Sequence, residues 1–177
     1  LAVAWNAWQY HQATGDYRFL LEHGTELLVE QARFWADMAT EGDDGRFHIR
    51  GVMGPDEYHD GYPDAVGRGV DDNAYTNVLV SWLLQRALEL KAGVRGHRAE
   101  VQLWERLGVA DAEVAHWGAV ASRLHVPFHD GIISQFEGWD DLEEIDWADY
   151  RTRYGNIGRL DLILEAEGDT TNRYKLA

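Results

Sequence analysis

The chain contains no cysteine, which removes disulfides, thiol nucleophiles and cysteine-based metal sites together. That fits the expectation of a cytoplasmic protein. Basic residues are scarce: 16 Lys and Arg stand against 31 Asp and Glu, a net charge of −15. Such a surface repels phosphate backbones, so nucleic acid is not an expected partner. The acidic residues are spread along the chain rather than gathered in a tail, which assigns them to solubility. No stretch approaches the roughly 18–20 continuous apolar residues of a membrane span, so no membrane is expected either. The first ten residues carry polar Asn6 and Gln9 inside an amphipathic pattern rather than a secretory leader. A Gly-rich phosphate cradle is missing too: Gly67-Arg68-Gly69 stands alone, without strand-turn-helix context. There is no Gly-x-Ser-x-Gly nucleophile elbow.

What is present is 177 residues, 45% of them hydrophobic, enough for one domain with a real core. The chain begins at Leu1 and stops at Ala177, just after a new segment starts, so part of a longer protein, truncated at both ends, is expected. Eight Trp and eight Tyr carry two readings. They stack on the apolar faces of sugars, or they fill gaps between large helices.

Apolar spacing predicts a succession of helices. Val3, Ala4, Ala7, Trp8 and Tyr10 mark one over residues 1–13, which Gly15 and Asp16 break. A second pattern runs from Tyr17 to Met38, with His23-Gly24 as a nick. Residues 40–45 read as a turn, and Phe47, Ile49 and Val52 predict a short strand near 46–52. Residues 53–69 are a long loop rich in Gly, Pro, Asp and Tyr, a length that is usually functional. Asp71 or Asp72 is the expected cap of a helix to about Lys91, with Val78, Leu79, Trp82, Leu83, Ala87 and Leu90 as its apolar face. Helices follow near 96–107 and 111–124, the latter with Asp111 as cap. Pro127, Phe128, the turn His129-Asp130-Gly131, Ile132, Ile133, Phe136 and Trp139 predict a β-hairpin near 126–139. The acidic run Asp140 to Asp146 reads as a solvated linker before helical patterns at 147–153 and 157–166. The fold class is therefore mainly α, with helices packed as antiparallel pairs.

Chemistry concentrates in Gly54-Pro55-Asp56-Glu57-Tyr58-His59-Asp60, where three carboxylates, an imidazole and a phenol share seven residues. Protonating an acetal oxygen requires a carboxyl that stays protonated near neutral pH, which apolar rings or neighbouring carboxylates favour. Asp56 and Tyr58 are the neighbours available to Glu57. The competing reading is a solvated acidic loop. A metal reading of His59, Asp60 and Asp56, or of His125, His129 and Asp130, finds no zinc or calcium spacing to support it, so no metal is expected.

The loop, followed by Asp71-Asp72-Asn73-Ala74-Tyr75-Thr76-Asn77, resembles the signature of glycoside hydrolase family 65, which includes maltose, trehalose, kojibiose and nigerose phosphorylases and some hydrolases. The resemblance extends to Trp8-Gln9-Tyr10, Ala32-Arg33-Phe34-Trp35, Ile133-Ser134-Gln135-Phe136-Glu137-Gly138-Trp139 and Asn172-Arg173-Tyr174-Lys175. It implies the C-terminal-side portion of an (α/α)6 barrel catalytic domain. It also implies Glu57 as general acid for inverting attack by phosphate on an α-glucosidic disaccharide, releasing β-glucose 1-phosphate. Inorganic phosphate is then a co-substrate, and no cofactor is required. An inverting hydrolase would need a second carboxylate roughly 6.5–9.5 Å away to activate water. A non-catalytic carbohydrate-binding or scaffold role is the alternative from another class. Tyr58, His59, Asn73 and Tyr75 are candidates for substrate binding, set against locking the loop for the first two and structural capping for the last two. Gln135 and Glu137 on the hairpin face either a cavity or solvent. The resemblance implies that the phosphate-binding residues lie beyond this chain, and it leaves a homodimer through the full-length protein open.

Overall fold

Small side chains let helices approach closely, and the first helix shows it. Helix α1 (Ala2–Thr14) buries Ala4 and Ala7 in a cluster with Leu28 and Leu83, while Val3 and Tyr10, expected on the same face, are exposed. Gly15 ends α1 in the left-handed conformation, the position where a missing Cβ costs least. Asp16 then accepts the Phe19 amide at 3.0 Å and caps the short α2 (Tyr17–Phe19). A π turn at Leu20–Gly24 separates it from α3 (Thr25–Met38), which is the nick expected at His23-Gly24.

The computed structural model describes residues 1–55 and 58–176, and these group into two units. The first comprises residues 1–48 and 76–125. Besides α1–α3 it holds an antiparallel pair, β1 (Thr40–Glu41) and β2 (Phe47–His48), in which the expected turn is flanked by its own strand. Helix α4 (Ala74–Ala92) buries Val80, Leu83, Leu84 and Ala87. Leu83 and Ala87 belong to the expected face, and Trp82 and Leu90 of that face pack against the same cluster as Leu83, while Val78 is exposed. Helix α4 is apolar around much of its circumference, so periodicity alone leaves the edges of the covered side open. Helices α5 (Arg98–Leu107) and α6 (Asp111–Arg123) complete this unit. Ala110, not Asp111, occupies the cap position of α6, and Asp111 lies in its acidic first turn, where charge favours the helix dipole. Arg33 joins α3 to α6 through Glu113 at 2.6 Å.

The second unit comprises residues 49–75 and 126–177. Its hairpin, β3 (Phe128–His129) and β4 (Ile132–Ile133), is shorter than expected. Asp130 and Gly131 both have positive φ, the requirement of the tight turn that matches strand twist. Beyond it Phe136 is buried with Val70 and Leu142. The acidic run is not a solvated linker. It forms a 3-10 turn at Trp139–Asp141, buries Leu142 and Ile145, and ends with Asp146 capping α7 (Trp147–Tyr154). Helix α8 (Leu160–Glu167) follows. Ile145, Tyr150, Leu160, Leu164 and Leu176 form the core of this part.

Candidate functional site

The long loop is closed at its neck. Val52 and Val70 exchange two backbone bonds of 3.0 and 2.8 Å, and the Asp72 amide reaches the Ile49 carbonyl at 2.8 Å. The carboxylates expected to cap α4 serve this closure. Asp72 accepts the Ile49 amide at 3.1 Å and Asp71 accepts the Gly51 amide at 3.0 Å, while α4 begins past both, at Ala74. A Cβ on Gly69 would lie 2.4 Å from the Gly51 carbonyl carbon, and its φ is +75°. Only glycine lets the two backbones meet there. The result is a compact loop whose ends are close, of the kind that presents function on a fixed base.

A cavity of about 300 Å³ lies in this unit, lined by Pro55, Asn73, Ala74, Tyr75, Ile133, Ser134 and Gln135. Two backbone bonds join its walls: the Ala74 amide to the Gln135 carbonyl at 2.8 Å, and the Glu137 amide to the Asp71 carbonyl at 3.0 Å. Tyr62 reinforces them. Its hydroxyl donates to the Glu137 carbonyl at 2.9 Å and accepts from the Asp71 amide at 3.1 Å. Burial raises the Tyr62 phenol above its ordinary value. Ser134 donates to Asp140 at 2.5 Å. An aromatic ring, an amide pair and a hydroxyl around a small cavity are the groups that hold a sugar: the ring packs on its apolar face and the polar groups meet its hydroxyls.

The sequence-predicted residues fall into three sets. Glu57, with Asp56, lies outside the described residues, although Pro55, its neighbour but one, lines the cavity. Asn73 and Tyr75 come together at the cavity, Asn73 buried and Tyr75 half exposed. Tyr58 and His59 are built into the unit. Tyr58 packs against the Leu160 and Leu164 cluster. His59 is 2% exposed, stands 5.2 Å from the Trp139 ring, and donates from Nε2 to the Tyr174 carbonyl at 2.9 Å. Of the hairpin pair, Gln135 lines the cavity, and Glu137 is exposed.

Sequence reasoning missed Thr171 and Asn172. Thr171 donates its hydroxyl to the Tyr58 carbonyl, and Asn172 holds Asp60. Nothing in the spacing of residues 112 positions apart signals such a pairing.

The family model described as the Glycosyl hydrolase family 65 central catalytic domain matches residues 1–177. The chain belongs to glycosyl hydrolase family 65. It is 54% identical over 99% of its length to an uncharacterized glycosyl hydrolase of Mycobacterium tuberculosis, covering 13% of that protein. It is 38% identical over its whole length to the trehalose 6-phosphate phosphorylase of Lactococcus lactis, covering 22% of it. It is 32% identical over 89% of its length to the kojibiose phosphorylase of Halothermothrix orenii, covering 20% of it. The family 65 chain thus spans a small part of the length of these relatives. A solved structure, a putative kojibiose phosphorylase from the human microbiome, matches 97% of this chain with a TM-score of 0.78 at 19% identity, and 24% of that structure is covered. The mainly α class stands as expected, with a second small antiparallel pair at residues 40–48 where a single short strand was expected, and the likeness fits a portion of a helical barrel. Among the described residues no helix is long and apolar enough to cross a membrane.

Proposed function

We propose that the protein containing this family 65 chain is an inverting phosphorylase of α-glucosidic disaccharides, with Glu57 as its general acid. The observation that carries the reading is the cavity beside the acid loop, whose lining of Asn73, Tyr75, Ser134 and Gln135 has the chemistry of a sugar site. The relatives named as phosphorylases support the same reaction class. In this reaction a phosphate oxygen attacks the anomeric carbon on the face opposite the glycosidic oxygen. The carbon–oxygen bond breaks, the leaving oxygen takes its proton from the Glu57 carboxyl, and the products are β-glucose 1-phosphate and a free sugar. Phosphate is already a nucleophile, so the enzyme needs an acid and no base. Asn73 and Tyr75 contact the sugar, and Tyr58 and His59 hold the loop that carries the acid.

A hydrolase is the second reading, favoured by the name of the relative that is 54% identical. The two part on one measurement: whether product forms without phosphate. For the first reading, the full-length protein cleaves its disaccharide only with phosphate present. Glu57→Gln then lowers kcat by about 10²–10⁴-fold, the range for loss of a general acid. Full activity in that variant would remove Glu57 from the role.

A further inference from the structure

We propose that Asn172, assisted by Thr171, is a positioning residue for the general acid. It holds the three residues that follow Glu57 and thereby sets where the acid's carboxyl stands. The inference rests on the reading of Glu57 as the acid and goes beyond it.

Residues 58, 59 and 60 are each attached to one short segment. The Tyr58 carbonyl accepts the Thr171 hydroxyl. His59 Nε2 donates to the Tyr174 carbonyl at 2.9 Å. The Asp60 amide donates to Asn172 Oδ1 at 3.1 Å, and Asn172 Nδ2 donates to Asp60 Oδ1 at 2.7 Å. The orientation of the Asn172 amide is unambiguous, because a backbone N–H only donates and a carboxylate only accepts. Both ends of one amide are therefore spent on one residue of the acid loop. Asn172 is 1% exposed, so water does not replace it at low cost.

The segment that makes these attachments is itself fixed. Thr170 accepts the Asn172 amide at 3.3 Å. Arg173 grips Glu143 with two bonds of 2.9 and 3.1 Å. On either side of that grip the Glu143 amide reaches the Arg173 carbonyl at 3.0 Å, and the Lys175 amide reaches the Glu143 carbonyl at 2.8 Å. The Tyr174 hydroxyl donates to Asp169 at 2.7 Å. On the other side of Glu57, Gly54 packs so closely on Asn73 that an added Cβ would lie 2.4 Å from its amide nitrogen. Gly54 and residues 58–60, the nearest described residues with contacts on either side of Glu57, are thus each held. Proton transfer in the transition state depends on such placement, and a shift near 1 Å costs about 10²-fold in rate.

The test compares two leaving groups in the full-length protein. A disaccharide that the parent cleaves, kojibiose or trehalose 6-phosphate, departs as an alkoxide that needs the acid's proton. α-Glucosyl fluoride loses fluoride with its bonding electron pair and needs no such proton. Asn172→Ala is expected to lower kcat on the disaccharide about 10²-fold, with KM and the rate on the fluoride changed less than about threefold. Thr171→Val is expected to show the same selectivity at about tenfold, and Thr171→Ser to restore the parent rate. These milder variants decide the matter should Asn172→Ala fail to fold. Equal losses on both substrates, or no loss on either, would overturn the positioning role. Glu57→Gln serves as the reference. If it too lacks the selectivity, the acid assignment falls together with the inference; if it alone shows it, only the inference falls.

Discussion

Removing one oxygen atom from Tyr62 tests whether the cavity walls act as one piece. In Tyr62→Phe the ring keeps its edge contact with Phe136, 5.9 Å between centroids, and loses only the hydroxyl that bridges Glu137 and Asp71. Two backbone groups then lose their bond to this hydroxyl. A net hydrogen bond is worth about 0.5–1.5 kcal/mol, and an unsatisfied buried group costs about 1–3 kcal/mol. Tyr62 is half buried, so water recovers part of the loss and about 1–2 kcal/mol is expected. That is a roughly 5–30-fold change in a local opening equilibrium. Amide hydrogen exchange on the full-length protein reads it directly. Exchange at Asp71 must rise, because its acceptor is gone. The informative amides are Ala74 and Glu137, which bond to Gln135 and Asp71 across the wall and are not touched by the substitution. If the hydroxyl couples the two segments, both exchange faster by a factor in that range. Acceleration confined to Asp71 would refute the coupling.

Two further expectations follow from geometry and charge. Ala4 is fully buried against Ala7, Leu28 and Leu83, so Ala4→Leu should overpack the first unit by about 1–3 kcal/mol; a thermal midpoint equal to the parent's would contradict this packing. Burial, and then the hydrogen bond to Asp169, pushes the Tyr174 phenol up to about 12. The folded value lies above the unfolded value of about 10, so its contribution to stability is whole below about pH 10 and is lost as pH rises through about 12. Stability measured against pH should therefore fall less steeply for Tyr174→Phe than for the parent between pH 10 and 12, and identical slopes would argue against the assignment.

Much of the local structure was legible in the sequence. Gly15-Asp16 ended one helix and capped the next because each residue acts on its own backbone. Asp130-Gly131 made the hairpin turn for the same kind of reason. The nick at His23-Gly24 became a π turn. The uses of Asp71 and Asp72 and the burial within Asp140 to Asp146 depended on what lies opposite in space. The cap read into Asp111 missed by one residue along the chain, Ala110 taking that position. Asp72 had two lawful uses, as a helix cap or as an acceptor for the Ile49 amide, and only the closure of the loop chose between them.

The candidate site divides along the same line. By itself the sequence determined the chemistry on offer: a loop with Asp56, Glu57, Tyr58, His59 and Asp60, a family signature to place it, and Gln135 and Glu137 in the stretch read as a hairpin. Tertiary structure decided which of these groups meet. It brought Asn73 and Tyr75 to the same cavity as Ser134 and Gln135, drew His59 into the packing with Trp139, and tied Asp60 to Asn172 across 112 positions of chain. The physical reason is range. Helix caps, turns and periodicity are read within a few residues because they act through neighbouring backbone. A polar pair closed by long-range folding leaves no period in the sequence, since any amide and any carboxylate could form it and only the packed chain selects one.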